Sequence, residues 1–316
     1  MSEVYFRITA RGAHPHTRVP PLERLLARAD GPTDTADWRA GAFRLIAPEG
    51  AGVPPVATAA LTPGASRAPG SWVCMATPVH LLAGMTSVGM AADGLLDIEP
   101  FEADALTADF NQVFAGGGVT LERGRDALLL CRFDEPLRVT TRAPEEAAGH
   151  DLWAYLPRGE DATRLRSLTS EIEMWLFDHA VNRRRRESER PVITGLWLWG
   201  EGAADAPPPS VLGWTAGDDP LFGSFARSAR YPGPSTSGVV TVPDWPGTPV
   251  WSDVEERWLV PALADLRAGR LRSITLSAQR RCVRLGPRAW LRFWRHARPW
   301  WEILIDGDID GDIDGD

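Results

Sequence analysis

The stretch His179–Gly202, HAVNRRRRESERPVITGLWLWGEG, sets four arginines behind an asparagine and then runs into an apolar segment. Asn182 and Arg185 are three residues apart, so on a helix they share a face and could grip an anionic ligand bidentately, with Arg186 beside them. Further back, AAGHDLW places His150 next to Asp151, the pattern of a base with an adjacent carboxylate. All 34 positive residues are arginine, as the sequence contains no lysine. A Schiff-base lysine and a lysine phosphate clamp are therefore excluded, and anions must be held by guanidinium or backbone N–H groups. The same arginine bias, with abundant Ala, Gly and Pro, fits a GC-rich bacterial genome.

Other chemistry has thinner support. His14 and His16 in GAHPHTR are the one close histidine pair, a candidate for metal binding. Cys74, Cys131 and Cys282 are far apart with no CxxC pair, so they are expected to be buried packing residues rather than disulfide or zinc ligands. No GxSxG elbow, Walker loop or dinucleotide glycine pattern is present. The ending, IDGDIDGDIDGD, imitates from Asp306 the opening of a calcium loop but lacks the bidentate glutamate. The tail, 302–316, is expected to be disordered with at most weak calcium binding. No other cofactor is expected, with manganese or zinc as the alternative.

The net charge is −8, and six of the 42 acidic residues lie in those last twelve positions, leaving a body at −2. A nearly neutral body disfavours nucleic acid as a partner. No apolar run approaches the ~20 residues of a membrane span, so no membrane partner is expected. The start lacks the basic-then-apolar pattern of a signal peptide, which points to the cytoplasm. PRAWLRFWRHARPWW interleaves arginine with tryptophan. Trp290, Leu291 and Trp294 read as a core stripe, with the Trp-rich end as a possible surface for a protein partner.

These residues need elements to hold them. Residues 1–70 form a loosely patterned N-terminal region, with short helices in PPLERLLARA and DWRAGAFRLI. Residues 71–202 read as an α+β region: a strand in SWVCMATPVHLL, a helix opening at Pro100, a strand pair near 119–133, and a long helix. That helix starts at Asp161 and carries Leu165, Leu168, Ile172, Trp175, Leu176 and His179 on one face. It is expected to end with Arg183 to Arg186 in its last turn, where cations complement the helix dipole. VITGLWLW follows as a buried strand. Residues 203–236 are a connector and 237–301 a C-terminal α/β region, with a capping box at Ser252 and Glu255 and a bend at Pro261. The expected fold class is α/β or α+β, a mixed sheet with helices packed on it.

From Leu95 to Gly202 the chain resembles the substrate domain of archaeal-type cofactor-independent phosphoglycerate mutases. The motifs are LLDIEPFEADALTADFNQVF, YLPRGEDATRLRSLTSEIEMWL, HAVNRRRRESERP and GLWLWGEG. In that family a helix ends in Asn-x-x-Arg and an apolar strand closes in a Trp-Gly-x-Gly turn, here Asn182, Arg185 and Trp199–Gly202. Over its whole length the chain is similar to bacterial phosphoglycerate mutase-like, RpfE-type regulatory proteins, through TPVHL at 77–81 and RFWR at 292–295. The resemblance implies a degenerate alkaline-phosphatase-like fold and a small phosphorylated ligand near Asn182, Arg185, Arg186, Trp199, Glu201, His150 and Asp151. The family's metal-binding Asp and His motifs have no counterpart here, so the expectation is a non-catalytic or regulatory protein. A metal-dependent phosphomutase or phosphatase with a rearranged site is one alternative, and a Trp-rich interaction module is another.

Overall fold

The computed structural model describes residues 1–9, 18–35, 37–61, 69–84, 87–124, 127–207, 209–225, 227–242 and 253–305. The His14–His16 pair, Ser252 and the Asp306–Asp316 tail lie outside them. The chain divides into two units, Met1–Val53 with Ser210–Asp316, and Pro54–Pro209. This differs from the divisions at 70 and 202 read from the sequence. The segment 54–70 joins the middle unit, and the N-terminal segment joins the C-terminal one.

The first unit is built on a six-stranded mixed sheet. Its centre is β1 (Glu3–Ile8), paired in parallel with β11 (Gly238–Val242) on one side and β12 (Ser273–Ala278) on the other. A strand flanked on both sides needs apolar residues on both faces, which Val-Tyr-Phe-Arg-Ile largely provides. β10 (Trp214–Ala216) extends the sheet beyond β11, while β13 (Arg281–Leu285) and β2 (Thr33–Asp34) close the other edge antiparallel. The core gathers Phe6, Ile8, Leu22, Leu266, Ile274 and Trp300. The helices α1 (Pro20–Arg28) and α2 (Trp38–Ile46) lie where the sequence places them. Pro20 opens the first, and the Asp37 side chain accepts from Ala40 N–H to cap the second.

The C-terminal part departs from its reading in two places. A π-helical turn, Glu255–Leu259, precedes the helix Val260–Arg267. Pro261 has no N–H to donate, and the Arg257 carbonyl four residues before it accepts the Tyr231 N–H at 3.0 Å instead. The helix read in PRAWLRFWRHA is only a 3-10 turn at Ala289–Arg292, and the final helix is Trp300–Leu304. Trp300 is fully buried, whereas Leu291, Phe293 and Trp294 are exposed, so the core role assigned to Leu291 and Trp294 belongs to Trp300. Trp290 is half-buried and packs against this core as expected, with the guanidinium carbons of Arg28 and Arg267 5.4 and 4.0 Å from its ring centre.

The second unit carries an antiparallel five-stranded sheet. β3 (Trp72–Ala83) is its spine, pairing β6 (Leu129–Phe133) and then β4 (Val88–Leu95) along one side and β9 (Gly195–Ala203) along the other. β5 (Val119–Arg123) extends the sheet beyond β6. One face packs Trp72, Cys74 and Cys131 against Ala103, Leu106 and Phe110 of α4 (Pro100–Val113) and Leu165, Ile172 and Leu176 of α5 (Ala162–Phe177). Each large apolar side chain buried this way contributes about 1.5–3 kcal/mol. The short helix α3 (Val56–Ala60), in a stretch the sequence reads as loop, contacts β3 and β9. Both sheets carry helices, and the fold is the mixed α/β class expected. Cys74 and Cys131 are buried as anticipated, whereas Cys282 in β13 is only half-buried. No helix among the described residues is long and apolar enough to cross a membrane.

The long helix read from Asp161 to the arginines is two helices. α5 stops at Phe177, and α6 (Ala180–Glu187) starts afresh. The break lies at His179, whose extended backbone and Nδ1 acceptor for Val181 N–H form an N-cap.

Candidate functional site

The Asn182–Arg185 pair turns inward. Asn182 is 2% exposed. Its Nδ2 donates to Leu176 O and Ile193 O, both at 2.7 Å, and its Oδ1 accepts from Ile193 N–H at 2.8 Å. One amide thus ties the end of α5 to the segment entering β9. Arg185, also 2% exposed, makes a fork with Glu102 of α4, Nε and Nη2 each donating at 2.7 Å. Its remaining bonds go to Pro191 O at 3.0 Å and Asp97 O at 2.8 Å. Burial alone would raise the Glu102 carboxyl, but the Arg185 bonds, the Glu99 N–H and the guanidinium charge hold it below its ordinary value. The spacing that promised an anion grip serves an internal carboxylate and two backbone segments. Arg186 is exposed and donates to Phe177 O.

The Trp-Gly-Glu-Gly turn has a packing role. Val73 pairs Gly202 while Met75 pairs Trp199, so β9 bulges at Gly200 and Glu201. Gly200 takes φ +66°, and a Cβ there would lie 2.9 Å from Val56 Cβ. A Cβ on Gly202 would lie 2.4 Å from Pro55. The glycines let α3 sit directly on the strand. Trp199 is buried and donates from Nε1 to Thr77 Oγ1 at 2.8 Å.

The bulge aims Glu201 at Thr141. The carboxylate accepts the Thr141 backbone N–H at 3.0 Å and its hydroxyl, and that hydroxyl oxygen accepts Gly200 N–H at 3.2 Å. Trp197 Nε1 adds a bond to Arg142 O at 2.8 Å. These bonds fix the segment that carries Thr141 and Arg142 beside β9, where it forms one wall of a cleft of about 260 Å³. The cleft is lined by Val79, Leu81, Leu152, Tyr155 and Trp197 on its apolar side. α5 contributes Arg166, Thr169, Ser170 and Glu173. Those four residues follow i, i+3, i+4, i+7 spacing, a single polar stripe beside the apolar one that faces the core.

The cleft's charges are lightly used. Arg142 pairs with Glu146 at 3.1 Å on the surface and lies 6.0 Å from the Tyr155 ring centre. Arg166 reaches Thr163 Oγ1 at 3.4 Å. Among the described residues Glu173 has no hydrogen-bond or ionic partner. Its outer edge is exposed, yet the stem lies over Gly195, and desolvation pushes the carboxyl up.

His150 and Asp151 do not work as a pair. Both are exposed. Asp151 accepts from Trp153 N–H at 2.8 Å, capping the turn Leu152–Tyr155. That bond and one from Ser87 hold its carboxyl low. The His150 ring stacks on Tyr155 at 5.9 Å. Of the residues read as a site, Glu201 supports the cleft from behind, and none of the seven lines it. No group of three His, Cys, Asp or Glu side chains gathers as a metal site among the described residues.

His179, read only as part of an apolar face, is a second buried titratable group here. Its Nδ1 serves the cap and its Nε2 faces Asp109 at 3.1 Å. Burial lowers the imidazole below its ordinary 6.5, against the opposing pull of Asp109. Stability tied to the neutral ring is complete above about pH 6.5 and declines as pH falls toward the lowered folded value. Urea titrations from about pH 8 to 5 are expected to show this loss in the wild type and not in His179→Asn, which keeps an N-cap acceptor without a titrating proton. The same profile in both proteins would assign the loss to another group.

No family model matches the chain. It is 35% identical over 66 residues to a probable 2,3-bisphosphoglycerate-independent phosphoglycerate mutase of Geobacter sulfurreducens, covering 21% of this chain and 16% of that one. The 2,3-bisphosphoglycerate-independent phosphoglycerate mutase of Methanothrix thermoacetophila is 29% identical over 126 residues, 37% of this chain and 31% of the relative. The chain therefore spans less than a third of the length of these curated relatives. A solved cofactor-independent phosphoglycerate mutase from Thermoplasma acidophilum aligns with a TM-score of 0.37 and 15% identity, over 90% of this chain and 89% of that one. The PH0037 protein from Pyrococcus horikoshii aligns with a TM-score of 0.37 and 10% identity, over 90% and 87%. The sequence matches support the resemblance to cofactor-independent phosphoglycerate mutases as a partial, distant relationship.

Proposed function

We propose that the protein is a phosphoglycerate mutase-like binding protein. Its second unit holds a small phosphorylated anion in the cleft beside α5, and the chain acts in regulation rather than by transferring the phosphoryl group. The reading rests on one observation above the rest. Arg166 stands at an apolar-floored cleft with its guanidinium bonded among the described residues only to Thr163, at 3.4 Å. A phosphate replaces that long contact with charge-assisted bonds. Arg142 can turn from its exposed pairing with Glu146, which is worth little in water. The hydroxyls of Thr169 and Ser170 complete a polar lining. The partial similarity to phosphoglycerate mutases supplies the ligand class.

Thermal unfolding with and without 3-phosphoglycerate tests this. At a hundredfold excess over Kd the ligand adds about 2.7 kcal/mol. Arg166→Ala is expected to abolish the shift while changing the ligand-free stability by no more than ~0.5 kcal/mol, since the residue is exposed. Absence of any shift in the wild type with 3-phosphoglycerate, 2-phosphoglycerate or inorganic phosphate sinks the reading. Interconversion of the two phosphoglycerates by manganese- or zinc-loaded protein replaces it with a mutase.

A further inference from the structure

The cleft presents opposite charges at separated places. Arg166 and Glu173 both line it from α5 and are seven residues apart, a rise of about 10 Å along the helix. The strand gives a second measure. The Glu173 stem lies 3.7 Å from the position of a Cβ on Gly195, while Arg142 is held by Trp197, about 6–7 Å further along β9. Among the described residues Glu173 forms no ion pair with either arginine. Consistent with this, the upward push on Glu173 comes from burial, with no cation opposing it. Val79 and Leu81 flank the same Gly195, so the Glu173 stem has apolar neighbours on the strand side.

We propose that the cleft selects a small dipolar ligand, with its anionic group at Arg142 and Arg166 and an ammonium group at Glu173. This rests on the reading that the cleft is an anion site and specifies the other end of the ligand. An ammonium hydrogen-bonds an ionised carboxylate more strongly than a hydroxyl does, and it compensates a charge that the protein leaves unpaired. The volume, about 260 Å³, leaves room for a metabolite the size of a phosphorylated amino acid.

Two probes share one carbon skeleton and differ at a single group: 3-phosphoglycerate carries a hydroxyl where O-phosphoserine carries an ammonium. Titration calorimetry of the full chain with these two and with inorganic phosphate, in wild type and Glu173→Gln, separates the contributions. O-phosphoserine is expected to bind the wild type at least tenfold tighter than 3-phosphoglycerate, and the two are expected to bind Glu173→Gln within about twofold. Affinity for inorganic phosphate is expected to be the same in both proteins. Glu173 has no partner to lose, and an unchanged melting temperature and circular dichroism spectrum confirm that the variant folds. Equal affinity of the two probes for the wild type, or a preference that survives in Glu173→Gln, overturns the dipolar assignment while leaving the anion site standing. Failure of all three probes to bind removes both.

Discussion

Arg185→Ala is expected to lose on the order of 3–5 kcal/mol, because it strands the Glu102 carboxylate in a site where both partners are 2% exposed. The truncation also removes the donors to Pro191 O and Asp97 O. Arg190, 3.8 Å from the same carboxylate, is too far to replace the fork. In a unit of this size 3–5 kcal/mol corresponds to a fall in melting temperature of roughly 10 °C or more. Replacing both residues, Arg185→Met with Glu102→Leu, is expected to recover most of the loss, since a matched apolar pair carries no uncompensated charge. The pair's pH dependence has a definite sign. The Glu102 carboxyl is lowered in the folded state, so its contribution is complete above the ordinary value of 4.5 and is lost as pH falls below it. Calorimetry of the two proteins decides the matter. If Arg185→Ala melts like the wild type but no longer responds to phosphorylated ligands, Arg185 is a ligand residue after all.

Gly200→Ala combined with Gly202→Ala is the second large effect. The first puts a side chain at φ +66° and 2.9 Å from Val56 Cβ; the second drives a Cβ to 2.4 Å from Pro55. Left-handed backbone costs a non-glycine residue about 1–2 kcal/mol, and overpacking about 1–3 kcal/mol more. The double variant is expected to lose about 3 kcal/mol. It should also weaken phosphate binding, because the bulge that aims Glu201 at Thr141 sets the wall bearing Arg142. Stability and affinity falling together is the signature of this indirect role. Affinity lost at unchanged stability would mean that the turn touches the ligand directly.

The same comparison of local and distant causes runs through the whole molecule. Helical periodicity correctly groups Leu165, Ile172 and Leu176 on one face, because a 3.6-residue repeat is a local property. It also groups Asn182 with Arg185, and here the grouping misleads as to function. Periodicity says which residues share a face but not what faces them. Arg185's partner lies 83 residues away and Asn182's bonds cross to Ile193. The polar stripe Arg166, Thr169, Ser170 and Glu173 was present in the sequence at helical spacing, indistinguishable from a solvated face. Only the wall formed by Thr141 to Pro157 turns it into a cleft lining.

The sequence by itself determined the local elements and their punctuation: Pro20 and Asp37 opening helices, buried Cys74 and Cys131, strands at 119–133 and 273–285, and arginine as the sole cationic side chain. Those follow from steric and capping preferences acting over a few residues. The tertiary structure alone decided that β1 joins strands more than 200 residues away, that the arginine cluster is partly an internal ion pair, and that the open charges belong to the other helix. Strand partners and buried charge pairs are chosen by which surfaces meet once the chain has collapsed, and no local pattern encodes that meeting.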